Sequence, residues 1–312
     1  MERQKAIEIK NLNFGYRSNW TMARGSGLKD INLEVFKGES FGFLGQNGAG
    51  KTTTIKCLLS LLQPISGSAE IFGCSSTDVK SRNNVGYVPE QPYFYDYLTV
   101  EELVRMYATL AGVSGADLNQ SVAEALKKTR IEHKSSARLR SLSKGQTQRV
   151  AIAQAIVGKP RLLILDEPFS GLDPLGRKEI CDLFFSLKEE GTTIFICSHI
   201  LSDIEFLCDR VSIMKDGKIK GVFDLKDLSR MSKGEYELVV SNYQAVEKEL
   251  SELADQNVKQ DLFLRLHFKD VARAKTALKK ALDLDCHIES YSFEHGTLED
   301  LFLTLVGNDK QE

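Results

Sequence analysis

The stretch Gly45-Gln46-Asn47-Gly48-Ala49-Gly50-Lys51-Thr52 decides the fold: an apolar run suited to a buried strand (Phe41, Phe43, Leu44) leads into it, and a helical pattern from about Thr52 through Leu62 leads out. Glycines at 45, 48 and 50 allow a tight turn that aims several backbone N–H groups inward. Lys51 adds a cation that reaches β- and γ-phosphates, Thr52 a hydroxyl for magnesium, and the following helix turns its positive end to the same anion. Strand, glycine-rich loop and helix in this order read as a nucleoside-triphosphate site. Its binding residues are Gly45, Gln46, Asn47, Gly48, Ala49, Gly50, Lys51, Thr52 and Thr53.

A second element lies far downstream, where Leu162-Leu163-Ile164-Leu165 runs into Asp166-Glu167-Pro168. Four apolar residues ending in two carboxylates suit a buried parallel strand whose tip opens onto a ligand crevice. Asp166 is then the magnesium-holding residue, with Thr52, and Glu167 the general base for an attacking water. On its own, such an acidic pair is more often a helix cap or solvated turn than a catalytic site; the phosphate loop turns the reading toward catalysis. A third element, Leu142-Ser143-Lys144-Gly145-Gln146, precedes a helical stretch from Thr147 to Gly158, and Ser143 with Gln146 has the form of a capping box. By itself it is a well-capped helix, with N–H donors free for a further phosphate contact.

Together these residues resemble the ATP-binding subunit of an ABC transporter. Tyr16 stands where that family stacks an aromatic on adenine; the phosphate loop, the LSKGQ signature at 142–146 and LLILDEP at 162–168 follow in the family's order. Ser170-Gly171-Leu172-Asp173 resembles the loop joining two active sites, and His199 in ICSH the switch histidine. The resemblance covers roughly residues 5 to 222. It implies ATP and magnesium as cofactors, with Glu167, His199 and Lys51 as catalytic residues. It also implies a head-to-tail pairing with a second ATP-binding subunit, identical or paralogous, whose Ser143, Gly145 and Gln146 close over the nucleotide. Two positions depart from the pattern. Lys144 replaces a glycine, as in a branch resembling drug and polysaccharide exporters, and Glu90 stands where a glutamine usually bridges magnesium and the membrane partner.

The bulk properties agree. A net charge of −2 over 312 residues offers no basic stripe for nucleic acid, and the six cysteines include no CxxC pair, which suits reduced thiols. No window is apolar enough to span a bilayer. If the chain drives transport, as the resemblance implies, the pore belongs to a separate multi-spanning membrane permease, and this chain sits peripherally at the cytoplasmic face of the cell membrane. A soluble ABC-type ATPase acting on ribosomes or DNA is the alternative; a single cassette with about ninety residues between loop and signature, lacking sustained heptads, argues against it. A small-GTPase-like switch is disfavoured by the absence of an NKxD motif.

The expected fold class is α/β: a phosphate-loop NTPase core of the ABC type with an inserted helical subdomain and a small C-terminal α+β domain. The core spans 1–225, its helical subdomain about 90–158, and the accessory domain 235–312. Ala6–Phe14 and Ile31–Phe36 read as strands separated by a polar surface segment, Arg17 to Gly27, and Thr99 with Glu102 forms a second capping box. Pro92-Tyr93-Phe94-Tyr95-Asp96-Tyr97 reads either as packing under a loop or as a groove for a helix of the membrane partner. Past a polar linker at Ser229 to Gly234, strands are expected at Tyr236–Ser241, Leu262–Phe268 and His287–Phe293, with helices at Ala245–Ala254, Val271–Leu282 and Thr297–Val306.

Overall fold

The structure is a computed structural model that describes residues 3–16, 27–227, 235–244, 246–294 and 298–307. The expected surface segment through residue 26 and the linker over 229–234 lie outside the described residues. The chain divides into two compact units, Met1–Phe223 and Asp224–Glu312.

In the first unit, β1 (Lys5–Gly15) and β2 (Gly27–Phe36) pair antiparallel, with Ile9 opposite Leu33 and Leu12 opposite Ile31. Alternation along β2 buries Ile31, Leu33 and Val35 and leaves the residues between them in water, as a period of two requires. Next come β3 (Ser40–Gly45), the phosphate loop and α1 (Lys51–Leu58). That helix stops one turn short of the expected Leu62. Ser60 takes a left-handed conformation (φ 58°), and the N–H groups of Leu61 and Leu62 both fold back onto the carbonyl of Lys56. Strands β4 (Ser66–Ile71) and β5 (Cys74–Ser75) complete a sheet of order β2-β1-β4-β5.

Beyond β6 (Val85–Val88) the chain becomes helical, through α2 (Val100–Leu110), α3 (Ala116–Lys128) and α4 (Lys144–Ile156). Both capping boxes are present. Thr99 and Glu102 exchange hydrogen bonds at 2.8 and 3.2 Å, and Ser143 and Gln146 at 3.0 and 3.3 Å. The chain then alternates through β7 (Leu162–Asp166), α5 (Pro174–Glu189), β8 (Thr193–Ser198), α6 (Leu201–Leu207), β9 (Arg210–Lys215) and β10 (Lys218–Asp224). The resulting six-stranded sheet has the order β10-β9-β3-β8-β7-β6, parallel wherever β3, β6, β7, β8 and β9 pair with one another. Every residue of β3, β7 and β8 is buried, which explains why their interiors are apolar and polar residues stand only at their ends, Ser40, Asp166, Thr193 and Ser198. Fully buried Phe41, Phe43 and Phe195 stack at this centre, each contributing about 1.5–3 kcal/mol by leaving water.

The second unit contains β11 (Glu235–Ser241), α7 (Glu247–Leu253), β12 (Gln256–Gln260), β13 (Phe263–Phe268), α8 (Val271–Asp283), β14 (His287–Glu294) and α9 (Leu298–Gly307). Its antiparallel sheet has the order β12-β13-β11-β14, with Leu238 opposite Leu266 and Tyr291. Leu238, Val240, Leu264, Leu266 and Phe268 pack on Ala274, Ala277 and Ala281, whose small side chains let the helix lie close to the strands.

Candidate active site

The phosphate loop runs from the tip of β3 into α1, with Gly48 at φ 82° and Gly50 at φ 114°, a conformation only glycine adopts without strain. A Cβ at Gly50 would lie 2.7 Å from Met214 and 2.8 Å from Leu28, so space as well as backbone angle demands glycine. Lys51, only 7% exposed, folds back so that Nζ donates to the carbonyls of Gly45 at 2.6 Å and Gln46 at 3.3 Å. The loop is also buttressed from outside: the Gly217 N–H donates to the Ala49 carbonyl at 2.9 Å, and the Lys29 N–H to the Gly217 carbonyl at 2.8 Å.

Across from the loop, β7 delivers two carboxylates. Thr52 Oγ1 donates to Asp166 Oδ2 at 2.7 Å, while Asp166 Oδ1 is buried without a partner. Burial pushes the Asp166 carboxyl above the ordinary Asp range; the Thr52 hydrogen bond opposes this, Glu90 and Glu167 add to it, and Lys51 offsets part. Glu167 sits at φ 51°, a left-handed conformation unusual for a residue with a Cβ, secured by its N–H bond to the Cys197 carbonyl at 2.9 Å. Its Oε1 lies 3.7 Å from Lys51 Nζ and 2.9 Å from His199 Nδ1. Neither approach has hydrogen-bond geometry, so this oxygen too is a buried orphan.

These groups line one cleft of about 780 Å³, within the range of small-molecule sites. Tyr16, Gln46, Asn47, Gly48, Gly50, Lys51, Thr52, Thr53, Glu90, Asp166, Glu167 and His199 all face it. Tyr16 is anchored by a 3.1 Å hydrogen bond between its hydroxyl and that of Thr53, and by an edge-on contact with Phe14. Gly45 and Ala49 support the loop from beneath rather than line the cleft. Ser143, Gly145 and Gln146 lie outside the cleft of their own chain. They are tied to it through α4, where Gln148 Nε2 donates to the Pro168 carbonyl at 2.9 Å. The signature turn also packs on the Ser170–Asp173 loop: a Cβ at Gly145 would come within 2.9 Å of the Gly171 carbonyl, and one at Gly171 within 2.7 Å of the Lys144 side chain.

Cleft residues that sequence reasoning missed include Lys29, Arg177, Asp216 and Gly217. Asp216-Gly217 carried a readable signal, a turn dipeptide between two apolar runs. Arg177 carried only its place one turn beyond Asp173, the side-chain cap of α5.

Comparison with known proteins gives a consistent result. The ABC transporter family profile matches residues 28–170. An uncharacterized ABC transporter ATP-binding protein of Synechocystis is 35% identical over 302 residues, covering 95% of this chain and 83% of that protein. The bacitracin transport ATP-binding protein BcrA of Bacillus licheniformis is 36% identical over 283 residues, 89% of this chain and 91% of its own. Among solved structures, an ATP-binding subunit of an ABC transporter superposes with a TM-score of 0.66 at 35% identity, over 72% of this chain and 92% of that one. A dimeric ATP-binding cassette in a post-hydrolysis state, bound to ADP and Pi, gives 0.65 at 27% identity, over 70% and 98%.

Proposed function

The chain belongs to the ATP-binding subunits of ABC transporters, and from that premise we propose a division of labour in the cleft of an enzyme that hydrolyses ATP to power transport. Tyr16 stacks on adenine. Lys51 and the loop amides from Gln46 to Thr53 hold the phosphates, with the N-terminus of α1 behind them. The orphaned Asp166 Oδ1 and the Thr52 hydroxyl fit a hard, oxygen-seeking cation. Magnesium at these oxygens supplies charge neutralisation of the triphosphate. Glu90, facing the same space, is a further oxygen donor. Glu167 takes the proton of the attacking water, and His199 contacts the γ-phosphate.

The observation that carries this reading is a pair of buried carboxylate oxygens, Asp166 Oδ1 and Glu167 Oε1, left without hydrogen bonds beside a buried lysine. Folding alone does not favour such an arrangement; a cation and a reacting water give it a purpose. Ser143, Gly145 and Gln146, which lie outside their own cleft, act in this reading on the nucleotide of a second ATP-binding subunit, identical or paralogous, in a head-to-tail dimer.

Mixing two variants tests the assembly. Lys51→Ala and Ser143→Arg should each be inactive as homodimers, since every composite site carries one defect. Randomly paired heterodimers concentrate both defects in one site and leave the other intact, restoring roughly a quarter of wild-type turnover. A mixture as inactive as its components would sink the shared-site arrangement.

The transmembrane path belongs to a separate multi-spanning permease at whose cytoplasmic face this subunit sits; no helix among the described residues is long and apolar enough to cross a membrane. Tyr93, Tyr95 and Tyr97 are 98%, 61% and 68% exposed, and such amphipathic rings suit an interface anchor for that permease. Tyr93→Ala should reduce co-purification of a membrane protein with the tagged subunit, and undiminished recovery would remove this face from the account. On the Lys144 signature variant, the direction of transport is export.

A further inference from the structure

Asp203 plays no part in the scheme above, yet it is no ordinary surface acid. It stands on α6, four residues beyond His199, is 6% exposed, and its Oδ2 is buried without a hydrogen-bond partner. Its Oδ1 lies 3.5 Å from Arg177 Nη1, close enough for attraction but too long for a good hydrogen bond. Burial pushes this carboxyl upward, Arg177 draws it back, and Glu167 and His199 act in opposite senses, placing Asp203 within the electrostatic reach of both groups.

Arg177 joins this acid to the cleft. It sits on the first turn of α5, its N–H bonded to the Asp173 carbonyl at 2.8 Å, and its guanidinium lies 5.9 Å from the centre of the Phe169 ring. Its side chain also lines the nucleotide cleft. The ion pair therefore spans two helices, one that begins where the Ser170–Asp173 loop ends and one that begins two residues after His199. A planar guanidinium engages both oxygens of a carboxylate, so the orphaned Oδ2 leaves a closer, two-pronged contact open to Arg177.

We propose that Asp203 and Arg177 form a positioning pair that registers the Ser170–Asp173 loop against the His199 turn, so that Glu167 and His199 are aligned together at the γ-phosphate. This rests on the reading of the cleft as an ATPase site. The pair acts on alignment rather than on nucleotide affinity, because α5 follows the Ser170–Asp173 loop and α6 follows the His199 turn, whereas the phosphate loop leads into α1.

Steady-state ATP hydrolysis by the full chain tests the pair, with Asp203→Asn, Arg177→Gln, their double variant and Arg177→Lys compared with wild type. Each neutralising variant should lower kcat roughly tenfold to a hundredfold, the cost of slight misplacement, while KM for ATP stays within about twofold. The double variant should be no worse than the poorer single, as for two halves of one interaction, and Arg177→Lys should recover part of the loss. Unchanged kcat in the single variants, effects that multiply in the double, or a raised KM at unchanged kcat would overturn the pairing. If Asp203→Asn does not fold, Arg177→Gln, at a partly exposed position, decides by the same criteria. Failure of the underlying reading looks different: wild type would then show no turnover that Glu167→Gln abolishes.

Discussion

Acidic side chains behave in opposite ways in the two units of this chain. Around the cleft of Met1–Phe223, Asp166, Glu167 and Asp203 each bury a carboxylate oxygen without a partner, and burial pushes Asp166 and Asp203 above the ordinary carboxylate range. In Asp224–Glu312 the acids find partners: Asp255, near the surface, accepts from the Lys269 N–H and from Arg273, both at 2.8 Å, and is held below its usual value, while buried Glu237 meets Arg265 at 2.8 Å. Away from the cleft, Glu8, Glu102 and Glu124 of the first unit are likewise shifted downward by their partners, whereas Glu39 is raised by burial yet bonded to the Phe36 N–H and to Arg210. Among the described residues, the second unit's buried orphan is a phenol, the Tyr291 hydroxyl. The difference teaches where the chain departs from what folding favours: at the tip of β7 and beside it, where a reaction needs charge that is ready rather than neutralised.

Substitutions can break or sharpen this contrast. The largest effect belongs to the second unit's core. Phe268→Ala, removing a fully buried ring, should cost that unit about 3–5 kcal/mol in chemical denaturation while leaving ATP hydrolysis by the cleft intact. Hydrolysis lost in parallel would mean that the units are not separable in function. Lys51→Ala comes next. Loss of a charge-assisted contact should weaken ATP binding by about 1.5–3 kcal/mol, read by equilibrium titration, and wild-type affinity would contradict the role of the loop.

A smaller effect, of opposite sign, is expected at Asp166. Asp166→Asn keeps an acceptor for the Thr52 hydroxyl but removes a buried charge. It should abolish turnover and yet stabilise the protein, measured without nucleotide, by about 1 kcal/mol. The smallest effect is its pH dependence. Between the ordinary Asp value, about 4, and the raised value in the fold, the folded chain holds a proton that the unfolded chain has released, so wild-type stability falls as pH rises through that window. The Asn variant lacks this penalty. Its advantage in Tm should vanish below about pH 4 and grow as pH rises through the raised value, and a gap that narrowed as pH rose would show that Asp166 is stabilised as an anion.

What could be read from the sequence follows from the same physics. β3 and β7 announce themselves because strands buried on both faces have no polar residue to interrupt them, and the caps of α2 and α4 because their chemistry is local. β12 gave no signal: Gln256 to Gln260 is exposed throughout and is a strand only because it pairs with β13. The end of α1 was overrun because Leu59, Leu61 and Leu62 continue an apolar pattern that a left-handed Ser60 cuts short. Within the cleft, Tyr16, the phosphate loop, Glu90, Asp166, Glu167 and His199 were legible as motifs. Arg177 and Asp203 were not, since their proximity arises only when α5 and α6 pack side by side.

The most direct test of the central claim, that Glu167 is a base held between Lys51 and His199 at the tip of β7 with an oxygen free of hydrogen bonds, is to measure ATP affinity and turnover together in Glu167→Gln. A neutral amide of the same shape should bind ATP as wild type does and lose roughly a hundredfold or more in turnover, because it cannot accept the proton of the attacking water. Undiminished hydrolysis in a variant that still binds ATP would contradict the account.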